Sequence, residues 1–304
     1  LKITAVITTY NSAKYIRRTI NSILNQDKRG KDFELEIIIV DDKSTDETAK
    51  IVQEEYKDIK FVQNETNSGG PNKGRNIGLN MAAGDYICIV DHDDEWLPDK
   101  ITEQLNYLKD GNLIVTSNYL LADAQNNKEV ERGNKSETEY TNYKTNETFF
   151  NKLAKNKKGE KAYIGSILFH KSLKTNYFEE KYGIADFDWL LRLFKNNSSI
   201  EINIPLYRRH FYGSNLSLDE NYRKNDYDYS MSVLLSYQQE FPKIVHRSIK
   251  RLNGSMARYY YLVGKMKQSR YYFRRSELTS KTILYYLTSF VGSGFVKKHF
   301  HIFG

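Results

Sequence analysis

Residues Tyr86 to Pro98 read Tyr-Ile-Cys-Ile-Val-Asp-His-Asp-Asp-Glu-Trp-Leu-Pro, and this stretch restricts the architecture most strongly. Its five largely apolar residues, rich in Ile and Val, read as a buried strand. The strand runs directly into Asp91, Asp93 and Asp94. Carboxylates crowded at the end of a buried strand repel one another and are costly unless a cation or ligand compensates them. Hard divalent cations prefer oxygen ligands, and Mg²⁺ commonly takes few carboxylates plus substrate phosphates. An Asp-x-Asp at the carboxyl end of a strand in an α/β protein therefore points to a metal-bridged diphosphate site. The plainer alternative is an acidic turn that caps the helix after Pro98.

The flanking chain gives that strand a setting. Lys2 to Thr8 alternates and is β-branched, hence a strand, and Asn11 or Ser12 caps a helix carrying Ile16, Ile20, Ile23 and Leu24. Glu36 to Val40 is a second buried strand, ending in Asp41-Asp42, and Ser44 or Thr45 begins the next helix. Ile59 to Gln63 is a third strand. Asn67 to Asn76 is a glycine-rich loop entering a helix that runs through Met81. After the Asp91 strand come a helix from about Pro98 to Lys109 and a strand from Leu113 to Asn118. Such alternation with short links implies a mainly parallel sheet with helices on both faces. Ligands of such sheets bind beyond the carboxyl ends of the strands. Thr8-Thr9-Tyr10, Asp41-Asp42, the glycine loop and Asp91-His-Asp93 all fall at those ends, which points to a nucleotide-type site.

Residues 122–161 turn polar and rich in Asn, Lys and Glu, and read as partly ordered and surface-lying. Ala162 to His170 returns to strand character. Trp189, Leu190, Leu193 and Phe194 form a buried helical stripe with Asp186 at its start, where the helix dipole favours an ionised carboxylate. Ile200 to Ile204 is a short strand. Beyond Leu218 the texture becomes helical, around Tyr229–Glu240, Lys243–Gly264, Lys267–Leu278 and Thr282–Phe290. The expected organisation is therefore a domain over residues 1–218 and a basic, aromatic-rich helical region over 219–304.

Charge sharpens this division. The net charge is +8, yet residues 216–304 carry 15 Lys/Arg against 6 Asp/Glu, whereas residues 1–215 carry 31 against 32. A neutral body with a basic tail points to a polyanionic surface, membrane or nucleic acid. Aromatic residues interleaved with Lys and Arg suit an anionic headgroup layer. They also stack on bases, but aromatic stripes on helices are usually core, so no nucleic acid is expected. A dimerisation surface is the other use for the tail. Cys88, the single cysteine, excludes an intrachain disulfide and a Cys-based zinc cluster and fits a reducing compartment. No signal peptide is expected from Lys2 to Thr9, and no run reaches the about 18 apolar residues of a membrane-spanning helix.

These residues resemble inverting family 2 glycosyltransferases of the GT-A fold. Val6-Ile-Thr-Thr-Tyr-Asn-Ser and Val40-Asp41-Asp42-Lys-Ser-Thr-Asp46 match the family's first two nucleotide-binding signatures. Asn67-Ser-Gly-Gly-Pro with Arg75-Asn76 resembles the third, as it appears in bacterial wall teichoic acid GlcNAc-transferases. Val90-Asp91-His-Asp93-Asp94 matches the metal motif, and Ala185-Asp186-Phe-Asp188-Trp-Leu-Leu-Arg192 the acidic motif that supplies the base. Ala185 replaces the family's usual Glu, which leaves the base reading intact and weakens acceptor analogies. Tyr207-Arg-Arg-His210, with Ser214 and Ser217 beyond, resembles the segment that closes over the donor. The resemblance spans residues 1–218.

It implies transfer of a sugar from a UDP-sugar to a hydroxyl, with inversion, assisted by Mn²⁺ or Mg²⁺. Asp93 would coordinate the metal and Asp91 would contact the ribose or a metal-bound water. Asp94 is a weaker candidate that also suits capping of the next turn. His92 falls in the sugar-nucleotide motif, although the strand pleat turns its side chain the other way. His210 is a metal ligand on the resemblance and a surface histidine without it. Asp186 is the candidate general base, against a plain N-cap role. Asp188 suits acceptor binding or helix structure, with Arg192 one turn on as its partner. Asp41, or else Asp42, should reach the base or ribose. Thr8 and Tyr10 should touch uracil, and Asn67, Gly69 and Gly70 shape the loop. Arg75 should contact uracil or pyrophosphate. The acceptor would be a surface-polymer or lipid-linked glycan at the inner face of the cytoplasmic membrane. The rival functions are a non-catalytic binding protein of the same fold and a sugar nucleotidyltransferase. The latter needs a glycine-rich basic loop directly after the first strand, which is missing after Thr8.

Overall fold

The computed structural model describes residues 1–108, 112–123, 126–156, 159–182, 186–212, 219–292 and 294. The chain divides into two compact units, one of residues 1–151 and 158–218, the other of residues 152–157 and 219–304.

The first unit opens with the expected alternation: β1 (Lys2–Thr9), α1 (Ile16–Leu24), β2 (Glu34–Asp41), α2 (Thr48–Glu55), β3 (Lys60–Gln63), α3 (Pro71–Met81) and β4 (Tyr86–Asp91). These strands are parallel in the order β3-β2-β1-β4. Ile3, Ala5, Val6 and Ile7 of β1 and Ile38, Ile39 and Val40 of β2 are fully buried, as strands covered on both faces must be. Each Val or Ile among them stabilises the fold by about 1.5–3 kcal/mol on leaving water. The register pairs Thr8 with Val40 on one side and with Asp91 on the other, so the polar residues after β1, β2 and β4 emerge along one edge.

Helix α3 lies very close to β1, and two glycines make this possible. A Cβ on Gly78 would stand 2.1 Å from Val6 Cγ1, and one on Gly74 would stand 2.9 Å from Thr8 Cγ2. Pro71 at the first helical turn suits the start of α3. Its glycine-rich entry is thereby held beside the end of β1.

The rest of the unit is β5 (Glu95–Trp96), α4 (Lys100–Asn106), β6 (Ile114–Asp123), β7 (Lys128–Arg132), β8 (Tyr140–Tyr143), α5 (Glu147–Leu153), β9 (Leu168–His170), α6 (Phe187–Phe194) and β10 (Ser199–Phe211). The sheet continues β4-β9-β6-β10-β5, with β9 antiparallel to both its neighbours and β10 parallel to β6. The described residues of 122–161 are mostly exposed, as expected of a surface-lying segment, but more regular than expected. They supply β7, β8 and α5, and bury Tyr143 and Phe149. Some of their polar side chains serve inside: Thr148 donates to the buried Glu160, which also accepts from Thr116 and Ser199 outside the segment. Helix α4 is also shorter than the span read from Pro98 to Lys109.

The second unit contains α7 (Glu220–Ser236), α8 (Pro242–Leu262), α9 (Met266–Phe273) and α10 (Ser280–Thr288). Asp219 caps α7 by accepting from the Tyr222 amide, and Thr279 forms a capping box with Thr282 on α10. Ala257, Tyr261, Phe273 and Tyr285 make its core. Residues 152–157 join it because Ser248 Oγ donates to the Leu153 carbonyl (2.6 Å) and Arg251 to the Ala154 carbonyl (2.7 Å). Among the described residues, no helix is long and apolar enough to cross a membrane.

Candidate active site

At the end of β2 the carboxylates organise loops. Asp41, fully buried, accepts from the Ser44 hydroxyl, the Ser44 amide (2.9 Å) and Gln63 Nε2 (2.8 Å). Ser44 therefore closes a turn on Asp41, and α2 begins only at Thr48. Asp42 accepts from Asn64 Nδ2 (2.7 Å) and, through both oxygens, from the Ser68 amide (3.0 Å). Asn67 donates to the Asp42 carbonyl (2.9 Å) and accepts from the Gly69 amide (2.8 Å). Gly69 has a φ of +82°, in the left-handed region, whereas Gly70 is extended and caps α3. The glycine loop is thus clamped to the end of β2. Tyr10, 44% exposed, presents a free ring at the end of β1, while Thr8 is buried. His92 Nδ1 lies 3.2 Å from the Thr8 carbonyl and the His92 carbonyl accepts from Thr19 Oγ1 (2.8 Å), so this residue ties β4 to β1 and α1.

At the end of β4 the carboxylates meet cations and phenols. Arg75, 5% exposed, reaches across from α3 and donates to Asp91 Oδ1 (2.9 Å) and Asn72 Oδ1 (3.1 Å). Its guanidinium also lies over the Phe178 ring (5.1 Å). Tyr163 donates to the other Asp91 oxygen (3.2 Å). Burial opposes ionisation of Asp91, yet Arg75 overrides it and holds the carboxyl below its ordinary range. Arg209 stacks its guanidinium on the Tyr163 ring (4.7 Å). Burial works against the charge of Arg209, but Tyr163, Asp94 and Asp91 hold it protonated. Burial, and after it Asp91 and Asp94, push the Tyr163 phenol well up.

Asp94 is buried inside the unit, accepting from the Tyr207 hydroxyl and from the His210 amide (2.8 Å). Burial, then the charges of Asp93 and Asp91, raise its carboxyl well above the usual range. It pins β10 to the acidic turn. His210 turns Nε2 to Glu95 Oε1 (2.5 Å), and this partner, foremost of its neighbours, holds Glu95 below its ordinary range. Arg18 of α1 joins the same knot through Glu95 (3.0 Å), the Asp93 carbonyl (2.5 Å) and the Tyr212 hydroxyl (2.7 Å).

Asp93 stands apart. Among the described residues no other residue donates a hydrogen bond to its carboxylate. Burial raises its carboxyl, with Asp91 adding to the rise and His92 and Arg209 opposing it. Among the described residues no three His, Cys, Asp or Glu side chains form a set that could hold a metal ion. Asp91 is paired with Arg75 and His210 with Glu95, so an all-protein cage does not fit. One uncompensated carboxylate does fit a hard cation that takes few protein oxygens and completes its shell with phosphate and water.

Asp186 occupies the N-cap position of α6, but its carboxylate makes no capping hydrogen bond. The plain cap role is therefore not the one it fills here. Asp188 pairs with Arg192 (2.8 Å), as its spacing predicts. Ala185, Ser214 and Ser217 lie outside the described residues. Tyr163, Arg209, Glu95 and Arg18 were not singled out for the site by the sequence. Glu95 and Arg209 lie inside quoted stretches and were within reach, but Tyr163 and Arg18 arrive from elements with no motif of their own.

A family model described as "Glycosyl transferase family 2" matches residues 4–175, more than half of the chain, and the chain belongs to that family. Staphylococcus aureus poly(ribitol-phosphate) beta-N-acetylglucosaminyltransferase TarS is 45% identical over 97 residues, which are 31% of this chain and 16% of that protein. A Campylobacter jejuni GalNAc(5)-diNAcBac-PP-undecaprenol beta-1,3-glucosyltransferase is 34% identical over 123 residues, 40% of this chain and 38% of that one. The matched stretches thus span less than half of either relative. The crystal structure of S. aureus TarS 1–349 in complex with UDP-GlcNAc superposes with a TM-score of 0.58 at 20% identity, covering 95% of this chain and 90% of that one. The mixed α/β fold with its flanking and C-terminal helices is accordingly GT-A-like.

Proposed function

We propose that this chain is a metal-dependent inverting glycosyltransferase. It moves a sugar from a UDP-sugar to a hydroxyl of a bacterial surface-glycan or lipid-linked acceptor. The observation that carries this reading is two open carboxylates, Asp93 after β4 without a donor from another described residue and Asp186 at the start of α6 without a capping bond. The printed activities of the relatives, on poly(ribitol phosphate) and on an undecaprenyl-linked glycan, support the acceptor class.

Tyr10 would lie against uracil, and Asp41, through the loop it closes, would shape the base and ribose pocket together with Thr8, Asn67, Gly69 and Gly70. Arg75 would exchange part of its contact with Asp91 for the diphosphate, leaving Asp91 to the ribose. Asp93 would hold Mn²⁺ or Mg²⁺, with His210 joining after release from Glu95. A bound cation would neutralise charge developing on the departing diphosphate. Asp186 would take the acceptor hydroxyl's proton as its oxygen attacks the anomeric carbon opposite the breaking bond to UDP. A β product from an α-linked donor follows.

The test is UDP release from UDP-glucose, UDP-galactose, UDP-GlcNAc and UDP-GalNAc, with Mn²⁺ or Mg²⁺ and with EDTA. Poly(ribitol phosphate) and undecaprenyl-linked glycans serve as acceptors. UDP binding without release from any donor would favour a non-catalytic binder of the same fold.

The second unit supports work at the inner face of the cytoplasmic membrane. Its excess of Lys and Arg accompanies exposed Leu278, Leu287, Phe290 and Val291, at 80, 60, 62 and 84%. Apolar side chains among cations suit an anionic headgroup layer. Co-sedimentation with anionic but not neutral vesicles, weakened by salt, is the expected result. A concentration-dependent dimer without vesicle binding would instead make these helices an assembly surface.

A further inference from the structure

Asn72 and Asn76 stand one helical turn apart on α3, and both are buried, at 0 and 7% exposure. Their side chains grip the backbone of a distant segment. Asn76 Oδ1 accepts from the Phe178 amide (2.7 Å), while Nδ2 donates to the Phe178 carbonyl (2.9 Å) and to Glu180 Oε1 (2.7 Å). Asn72 Nδ2 donates to the Glu179 carbonyl (2.8 Å). A carboxamide offers a donor and an acceptor in one plane, so it pairs with a peptide group as a neighbouring strand would.

The same segment is fastened to α6. Trp189 Nε1 donates to the Asn176 carbonyl (2.7 Å) and Arg192 Nη2 to the Tyr177 carbonyl (2.6 Å). The Phe178 ring stacks on Trp189, with centroids 4.6 Å apart and planes 10° from parallel. Residues 176–180 therefore splice α3, which follows the glycine loop and carries Arg75, to α6, whose N-cap residue is Asp186. Transfer requires the acceptor hydroxyl, held by the base, to meet a sugar held by the donor loop. Misplacement by about 1 Å is enough to cost on the order of 10²-fold in rate.

We propose that Asn76 is a positioning residue whose amide clamp on Phe178 sets the place of Asp186 relative to the donor helix. This rests on the reading of Asp186 as the base. Removing the clamp should slow turnover by misplacing Asp186, while Arg75, which lies over the Phe178 ring, is still held by Asn72 and Asp91 and so keeps its place in the nucleotide site. Asn76→Ala should lower kcat by about 10²-fold and change UDP affinity and donor KM by less than about threefold.

Asn76→Asp adds a readout that a merely structural role does not produce. Its ionised carboxylate would lack the donor and would face the Phe178 carbonyl and the Glu180 carboxylate; Arg75, the preceding residue on α3, is engaged with Asn72 and Asp91. Once protonated it would regain the donor. The ratio of Asn76→Asp turnover to parent turnover should therefore rise as pH is lowered from 8 to 5.5, and this ratio still decides the matter should Asn76→Ala not fold.

The measurements are UDP release from the four UDP-sugars named above and UDP titration calorimetry, on parent, both Asn76 variants and Asp186→Asn. Turnover of Asn76→Ala near that of the parent would overturn the proposal, as would kcat and UDP affinity falling together or a ratio flat with pH. Loss in Asn76→Ala while Asp186→Asn stays active would also overturn it, and would at the same time move the base elsewhere. Loss in Asp186→Asn with full activity in Asn76→Ala removes only the clamp.

Discussion

Two acidic ends lie on either side of β1, and they differ in what answers their charge. Beyond β2, Asp41 and Asp42 are surrounded by neutral donors: hydroxyl, amides and carboxamides from Ser44, Gln63, Asn64 and Ser68. Beyond β4, Asp91 leans on Arg75, Asp94 shares a phenol and an amide from β10, and Asp93 has no donor from another described residue. The same residue type at matching strand ends thus serves two purposes. Carboxylates satisfied by neutral donors build the frame of the glycine loop. A half-buried carboxylate left raised and open is poised to gain a partner, since any cation it meets relieves both desolvation and repulsion.

The strongest challenge to this contrast is Asp186→Asn, at the other open carboxylate. UDP binding should remain while turnover falls by about 10²–10⁴-fold, the usual worth of a general base. Turnover close to the parent value would move the base, first to Asp188.

Next in size is the comparison of Asp93→Ala with Asp42→Ala. Asp93→Ala should abolish the gain in UDP affinity that Mn²⁺ brings. Asp42→Ala should keep that gain even if its overall affinity drops with the loop. Equal UDP affinity in EDTA and Mn²⁺ for the parent would remove the cation from Asp93. A pH series on the parent sharpens the same point. Because the Asp93 carboxyl is raised, it should protonate on acidification before an ordinary Asp near pH 4 does. The Mn²⁺-dependent part of UDP binding should fade correspondingly early.

A smaller effect belongs to the frame. Asp41→Asn or Asp42→Asn places an amide against donors it cannot accept from on both sides, and should cost about 1–3 kcal/mol in urea unfolding. Unchanged stability would show that the loop does not need its carboxylates.

The smallest expected effect lies at the opposite end of β2. Burial works against the Glu36 carboxylate, but Lys60, Thr4, the Ala83 amide and Lys2 bring it from 4.5 to about 2. A depressed carboxyl contributes stability in full above its unfolded value and loses it as pH falls through the folded one. Unfolding midpoints of the parent should therefore decline between pH 4.5 and about 2 more steeply than those of Glu36→Gln. Lys2 and Lys60 are partly exposed, which keeps the effect modest.

The loops at the ends of β2 and β4 were readable because their parts are local. Asp41-Asp42, the glycine loop and Asp91 to Asp94 each sit within a few residues of a strand that hydrophobic pattern alone identifies, and the parallel order brings those ends together. Residues 122–161 are mostly exposed, as their composition suggests, but their strands, helix and few buried positions were not legible, because composition registers polarity and not local order or burial. Thr148 and Glu160 are polar and nevertheless internal, each answered by the other. His210 looked like a free ligand by motif, and nothing in the string announces that Glu95 is its partner in this structure.

What the sequence determined by itself is the α/β class, the placing of acidic and glycine-rich loops at strand ends, and the basic helical region. These follow from periodicity, turn chemistry and charge along the chain. What only the tertiary structure decided is which of those groups are answered and which stand open. Arg75 on Asp91, Tyr163 between Asp91 and Arg209, and Asn76 on Phe178 join residues 16, 72 and 102 positions apart. Such pairings depend on how helices and strands pack in space, because a hydrogen bond or ion pair is decided by a few ångströms of separation and by the burial around it.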